Sequence, residues 1–307
     1  MRGRIFKSTG SWYEVEDEQQ QRWSCRLRGK FKIKGLKVTN PLAVGDWVVF
    51  EPEDEEGHVG TIIDIEPREN YIIRKSIKNK HQGHILAANI DQAVLIATLA
   101  MPRTSTGFID RFLVTAESFR IPAVLVFNKK DLLKEEELQQ LEDLRQIYEP
   151  LGYPCHILSA KEEEGIGQFL EVLEGKLSLL SGHSGVGKST LLNAIAPEVG
   201  QKTGEVSAYA NKGTHTTTFA EMFTINKDTW VIDTPGIKEL GLIDMEEDPL
   251  DHYFPEMRSR MNECRFNNCT HIHEPGCAVV EALDNGNIAP SRYDNYVSML
   301  VEEDSHR

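Results

Sequence analysis

Between residues 4 and about 73, apolar and polar positions alternate in short runs broken by turn signals: RIFKSTGSWYEVE, QRWSCRLRG, DWVVFEP, HVGTIIDIEP and NYIIRKS. Alternation with period two marks half-buried strands. Five strands in so short a stretch predict a small barrel. The OB-fold is its five-stranded form, which binds oligonucleotides through one face and its loops; an SH3-like barrel acting as a spacer is the other form the pattern allows. The pattern then changes. Apolar strands QAVLIATLA, PAVLVFNK, PCHILSA and LSLLSG alternate with helical stretches, among them GFIDRFLVTAESF, with Ile109, Phe112, Leu113 and Ala116 at helical spacing, a charged helix at 135–149, and FLEVLEGK. Strands alternating with helices predict a parallel α/β sheet. From 242 the chain is acidic and irregular, with helical stretches around a cysteine cluster and a polar last helix, SRYDNYVSMLVEED. The expected architecture is multidomain α/β: a barrel over 1–73, an α/β domain over 74–241 and a mostly helical unit over 242–307.

Composition changes this picture in two places. At 307 residues the chain is long for one core, which agrees with two or three domains. It has no run of eighteen apolar residues and no charged-then-apolar leader, and it reads as a cytoplasmic monomer without membrane contact. The net charge of -14 argues against general attraction to nucleic acid. Yet Arg22, Arg26, Arg28, Lys30, Lys32, Lys34 and Lys37 follow one another without an acid, and Arg74, Lys75, Lys78 and Lys80 add to them. Alternation along RLRGKFKIK gathers Arg26, Arg28, Lys30, Lys32 and Lys34 on one face, a candidate RNA contact; a solvated strand edge balanced by the acidic domains is the plain alternative.

The chemistry centres on GHSGVGKST, in which Gly182, Gly187, Lys188 and Ser189 spell the phosphate-loop pattern after an apolar strand and before the helix KSTLLNAIA. Glycines let the backbone close on phosphates, the N–H groups and helix N-terminus favour anions, Lys188 reaches the outer phosphates and Ser189 is placed to ligate Mg²⁺. His183, Ser184, Gly185, Val186 and Thr190 complete the loop. Asn128, Lys129, Lys130 and Asp131, in FNKKDLL, match N-K-x-D: a carboxylate accepts from the two donors on guanine's edge, and adenine offers no such pair. Taken alone, the tetrapeptide also fits a helix entry with Asp131 as N-cap. Ser159, Ala160 and Lys161 read as the companion guanine loop. In VIDTPG, Asp233 is expected in the Mg²⁺ shell and Gly236 at the γ-phosphate. The intervening NKGTHTTTF supplies a switch threonine, Thr217, with Thr216 and Thr218 as alternatives.

GTPases ordinarily place the phosphate loop first and N-K-x-D later; here N-K-x-D and S-A-K precede it. The order is that of a circular permutation, which leaves every strand in place while moving the termini. The segment after Gly236 consequently runs straight into the C-terminal unit.

With this order, and with PLAVGDWV, GHSGVGKSTLLN, KGTHTTT, DTPG and CRFNNCTHIHEPGC, the sequence resembles the bacterial RsgA/YjeQ family of ribosome-assembly GTPases over nearly its whole length. The resemblance implies a late factor of small-ribosomal-subunit maturation that binds rRNA near the decoding region, cycles between GTP and GDP with Mg²⁺, and hydrolyses GTP faster on the subunit. Cys264, Cys269, His271 and Cys277 provide four ligands for one structural Zn²⁺, a set the resemblance supports, with His273 and His252 as rival ligands and reduced surface thiols as the alternative. Cys25 and Cys155 fall in strands and read as core thiols. The residue after Asp-x-x-Gly is Ile237, which cannot orient water; the resemblance gives that role to His215, beside the switch threonines, with a simply solvated loop histidine as the alternative. The missing glutamine leaves open an RNA-binding assembly scaffold for which GTP is a structural ligand. A third class, an ATP-using nucleic-acid enzyme, is opposed by Asp131.

Overall fold

The structure, a computed structural model, describes residues 1–29, 40–54, 56–75, 83–197, 220–233 and 249–306. Strands β1 (Arg2–Ser8), β2 (Trp12–Asp17), β3 (Arg22–Leu27), β4 (Trp47–Asp54) and β5 (Val59–Ile65) pair in the order β1-β2-β3-β5-β4. The barrel closes where β4 returns to β1, with Gly3 opposite Val48. The β3–β5 pair is parallel and the other four are antiparallel. This is the OB-type arrangement, filled by the inward positions Ile5, Val15, Trp23, Cys25, Val48, Phe50 and Ile62.

Strand membership departs from the expected runs. RIFKSTGSWYEVE is two strands, because Thr9 and Gly10 turn the chain and Thr9 N donates to Trp12 O at 2.9 Å. NYIIRKS lies outside the barrel: its strand β6 (Tyr71–Lys75) pairs with β7 (Gly83–Ala88) in a separate ribbon. Alternation reports that one face is buried, without naming the partner. β7 itself follows a basic stretch that reads as a linker.

The central sheet runs β10-β9-β8-β11-β13-β12, built from β8 (Gln92–Ala97), β9 (Ala123–Phe127), β10 (Cys155–Ile157), β11 (Leu177–Ser181), β12 (Glu221–Asn226) and β13 (Thr229–Asp233). All neighbours are parallel except β12, a strand not foreseen in the sequence, which is antiparallel to β13. Helices α1 (Thr106–Ser118), α2 (Glu135–Tyr148), α3 (Ile166–Leu173) and α4 (Lys188–Ile195) accompany it. β8, β9 and β11 are buried at every residue, as expected for parallel strands covered on both faces.

Barrel and sheet meet through β1 and β12, where Lys7 opposes Glu221 and its Nζ pairs with Oε2 at 3.0 Å. Phe6 and Val44 of the barrel region share a core with Leu179 and Ile232 of the sheet. The PLAVGDWV stretch is part of this junction: buried Asp46 takes Arg68 bidentately, Nε to Oδ1 and Nη2 to Oδ2 both at 2.6 Å. The C-terminal region packs Leu250, Phe254, Met257, Val279, Ile288, Tyr296 and Met299 around Val114 of α1. Among the described residues no helix is long and apolar enough to cross a membrane.

Candidate functional site

The parallel strands carry the motifs at their carboxyl ends, where ligands bind in open α/β sheets. β9 runs into Asn128–Asp131, β10 into Ser159–Lys161 and β11 into the loop Gly182–Gly187; β13 ends at Asp233. Gly236, the loop with Thr217, and His215 lie outside the described residues, as do Lys30, Lys32 and Lys34.

One side-chain amide ties three motifs together. Buried Asn128 donates from Nδ2 to Val186 O at 2.8 Å and accepts from Ala160 N at Oδ1 at 3.0 Å, so it holds the phosphate loop and the S-A-K loop in one frame. This explains Gly187: its φ is +97°, and a Cβ there would stand 2.3 Å from Asn128 Nδ2. Gly182, at φ +142°, is fixed similarly, since a Cβ would meet Ile96 O at 2.3 Å. Lys188 Nζ folds back over the loop to Gly182 O and to His183 O, the latter at 2.9 Å. Ser184, Gly185, Ser189 and Thr190 are exposed.

Asp131 accepts the Ser159 hydroxyl at 2.6 Å; it lies inside the short 3-10 turn Lys130–Leu132, which has no side-chain cap bond, and α2 starts at Glu135 with Lys134 before it. Its carboxylate is therefore not a helix cap. Lys129, in the left-handed region at φ 66°, donates to Met101 O. Lys130 pairs with Glu164, and exposed Lys161 with Glu162 at 3.1 Å. Met101 and Glu164 carry no sequence signal, since each acts through sheet geometry. Nor does Phe108, whose ring lies 3.8 Å from the His183 imidazole, centroid to centroid, tilted by 33°. Partial burial, with the Lys188 ammonium nearby, holds that imidazole below its usual pKa.

A second cluster lies in the C-terminal region. Single ligand atoms of Cys264, Cys269, His271 and Cys277 all fall within 4.8 Å of one another. Sulfurs at about 2.3 Å from a shared zinc stand roughly 3.8 Å apart; Cys264 Sγ and Cys277 Sγ are 3.9 Å apart, and His271 Nδ1 is 3.6 Å and 3.3 Å from them. The donor set thus fits a tetrahedral ion. Asp251 meets His271 Nε2 at 3.0 Å, which leaves Nδ1 facing the sulfurs, the carboxylate–histidine arrangement that orients metal ligands. Asp251 sits in an acidic run and sequence reasoning passed over it. His273 is exposed, and neither it nor His252 joins the cluster. Cys25 and Cys155 are buried in β3 and β10, and burial pushes both thiols up to about 12.

On the barrel, the exposed Arg26 pairs with Glu53 at 3.0 Å and Arg28 with Glu51 at 2.5 Å. Exposed pairs contribute about 0–1 kcal/mol, so a phosphate can displace either acid at little cost.

A phosphate loop and a guanine-type carboxylate on one parallel sheet, reached in permuted order and preceded by an OB-type barrel, define a circularly permuted P-loop GTPase architecture. Residues 65–243 match the RsgA GTPase family and residues 2–62 the RsgA N-terminal domain. The chain belongs to the RsgA GTPase family. It is 53% identical over 307 residues to the small ribosomal subunit biogenesis GTPase RsgA of Cytophaga hutchinsonii, with both chains covered in full. It is 52% identical to small ribosomal subunit biogenesis GTPase RsgA 2 of Bacteroides thetaiotaomicron, covering 99% of this chain and 97% of the relative. Among solved structures, YjeQ from Thermotoga maritima superposes with a TM-score of 0.80 at 40% identity, covering 98% of this chain and 97% of that one. YloQ, described as a circularly permuted GTPase, gives 0.77 at 31% identity, covering 100% and 96%.

Proposed function

We propose that this protein is a cytoplasmic, monomeric GTPase that binds the small ribosomal subunit through its rRNA, acts late in the maturation of that subunit and hydrolyses GTP to GDP and phosphate faster when bound to it. The observation that carries the reading is the Asn128 bridge, which sets the N-K-x-D, S-A-K and phosphate loops in one frame at the carboxyl edge of the sheet. Full-length similarity to relatives named small ribosomal subunit biogenesis GTPase supports the partner.

In this reading the barrel unit ends before β6, the nucleotide unit follows to about residue 241 and the C-terminal unit covers 242–307. Asp131 and the Ser159–Lys161 loop hold guanine, and Lys188 leaves its carbonyl contacts for the outer phosphates. The N–H groups of Gly182–Gly187 and the start of α4 face the remaining oxygens. Ser189, Thr217 and Asp233 hold Mg²⁺, which offsets charge on the phosphates. Gly236 senses the γ-phosphate and His215 positions the attacking water, a role that Ile237 cannot fill. Cys264, Cys269, His271 and Cys277 hold one structural Zn²⁺. Arg26, Arg28, Lys30, Lys32 and Lys34 contact rRNA.

Sedimentation with purified small subunits tests the partner. The protein is expected to co-sediment with small but not large subunits, at least about tenfold more tightly with a non-hydrolysable GTP analogue than with GDP. Equal binding in both nucleotide states would remove the switch and favour the scaffold reading.

A further inference from the structure

Helix α1 touches both functional regions. At its first turn, Ser105 Oγ caps Phe108 N at 3.2 Å, and the Phe108 ring lies against His183 in the phosphate loop. Just before it, Pro102 Cδ is 3.4 Å from where a Cβ on Gly185 would stand, so the approach to α1 also packs beside the loop.

Two residues beyond Phe108, the same helix enters the C-terminal unit. Asp110 is fully buried and accepts from Arg292 Nη1 at 2.7 Å, Asn295 Nδ2 at 2.6 Å and Tyr148 Oη at 2.8 Å. Arg292, itself 1% exposed, reaches Glu256 with Nε at 2.7 Å and Nη2 at 3.2 Å. One guanidinium thus joins a carboxylate of the nucleotide-domain helix directly to a carboxylate of the C-terminal unit. Buried ionic groups are poor sources of net stability, and their best-attested use is to fix one relative placement of the elements they join. Val114, one turn further along α1, lies in the core that also contains Cys277. Tyr296 Oη from the helix Pro290–His306 donates to Thr270 O at 2.9 Å, next to His271. Contacts therefore run from the cysteine cluster through Arg292 to Asp110, and the backbone of α1 carries that placement two residues back to Phe108 and the phosphate loop.

The geometry points to Phe108 as a positioning residue for the phosphate loop, and to Arg292 as the group through which the C-terminal unit holds Phe108 in place. The inference rests on the guanine-nucleotide reading of the site. It is separate from the chain continuity after Gly236, because it enters the site through the phosphate loop and a helix on the other side of the motif order. Its consequence is that placement of the metal-cluster unit is felt at the nucleotide even where the switch segments are unchanged.

A double-mutant cycle on the full chain tests this, with the dissociation constant and off-rate of a fluorescent GDP analogue as readouts. Arg292→Lys keeps the charge and loses the fork that spans both carboxylates. It is expected to weaken the analogue about three- to tenfold, mainly by faster release, in the parent protein, and by less than about twofold once Phe108→Ala has removed the ring. Asn295→Ala, which deletes one bond to Asp110 and leaves the ion pairs, repeats the comparison if Arg292→Lys does not fold, and is expected to show the same non-additivity at smaller size. A purely structural network would lower the melting temperature while leaving nucleotide release unchanged, and that result overturns the inference. So does an equal effect of Arg292→Lys with and without the Phe108 ring. A parent protein that fails to bind the analogue at all strikes the guanine-site reading instead, and the inference with it.

Discussion

Lys188→Ala is expected to lower affinity for GDP and GTP by at least about a hundredfold. Hydrogen bonds to charged groups contribute roughly 1.5–3 kcal/mol each, and this ammonium is the one cation the phosphate loop itself supplies to the outer phosphates. In the structure it reaches Gly182 O and His183 O, on the loop it serves. The side chain is only partly buried, so truncation leaves no deeply buried charge behind. Folding should hardly notice: the melting temperature should stay within about 2 °C of the parent, a shift worth about 1 kcal/mol in a protein of this size. Titration with a fluorescent GDP analogue checks the affinity, and an unchanged dissociation constant would show that the loop is not the phosphate site.

Asp131→Asn should change which base is bound. A carboxylate accepts from both donors on guanine's edge; a carboxamide turns one of its two positions into a donor and leaves a guanine N–H facing it. An unmade buried hydrogen bond costs about 1–3 kcal/mol, so guanine affinity should fall roughly tenfold to a hundredfold. Xanthine carries a carbonyl where guanine has its amino group and can accept from that amide, so preference should pass to xanthosine nucleotides. The Asn oxygen can still take the Ser159 hydroxyl that Asp131 takes at 2.6 Å, which preserves the loop. Competition of GDP, XDP and ADP against the labelled nucleotide reads the switch. Unaltered guanine preference would place the base elsewhere.

Both residues were legible in the sequence because their chemistry needs a fixed spacing along the chain. Glycines that must admit a carbonyl or an amide, and a lysine beside them, leave a local pattern. The barrel was legible as a count of alternating runs, but not in its membership: the first run was two strands, and Tyr71–Lys75 found its partner in Gly83–Ala88, past a basic stretch with no strand pattern. Alternation encodes which face is wet and says nothing about pairing across the chain. The metal-ligand set stood out because cysteines cluster in sequence. Asp251, which orients His271 from twenty residues away, looked like one more acid in an acidic run. Asp110, Glu256 and Arg292 were invisible for the same reason: charged residues on helices are usually solvated, and only tertiary packing removes these three from water. The basic strand gave the opposite lesson. No acid lies within the run that holds Arg26 and Arg28, yet each meets an acid contributed by β4, a neighbour the linear sequence does not reveal.

The most direct test of the central claim is GTP turnover by the purified protein alone, with small ribosomal subunits and with large subunits, using Lys188→Ala to exclude contaminating hydrolases. Turnover is expected to be slow alone, to rise at least about tenfold with small subunits, not to rise comparably with large ones, and not to rise in the variant; completing a GTPase site in trans supplies far more than that in other GTPases. Turnover that is the same in all three conditions, in a protein that binds GTP, would contradict the claim.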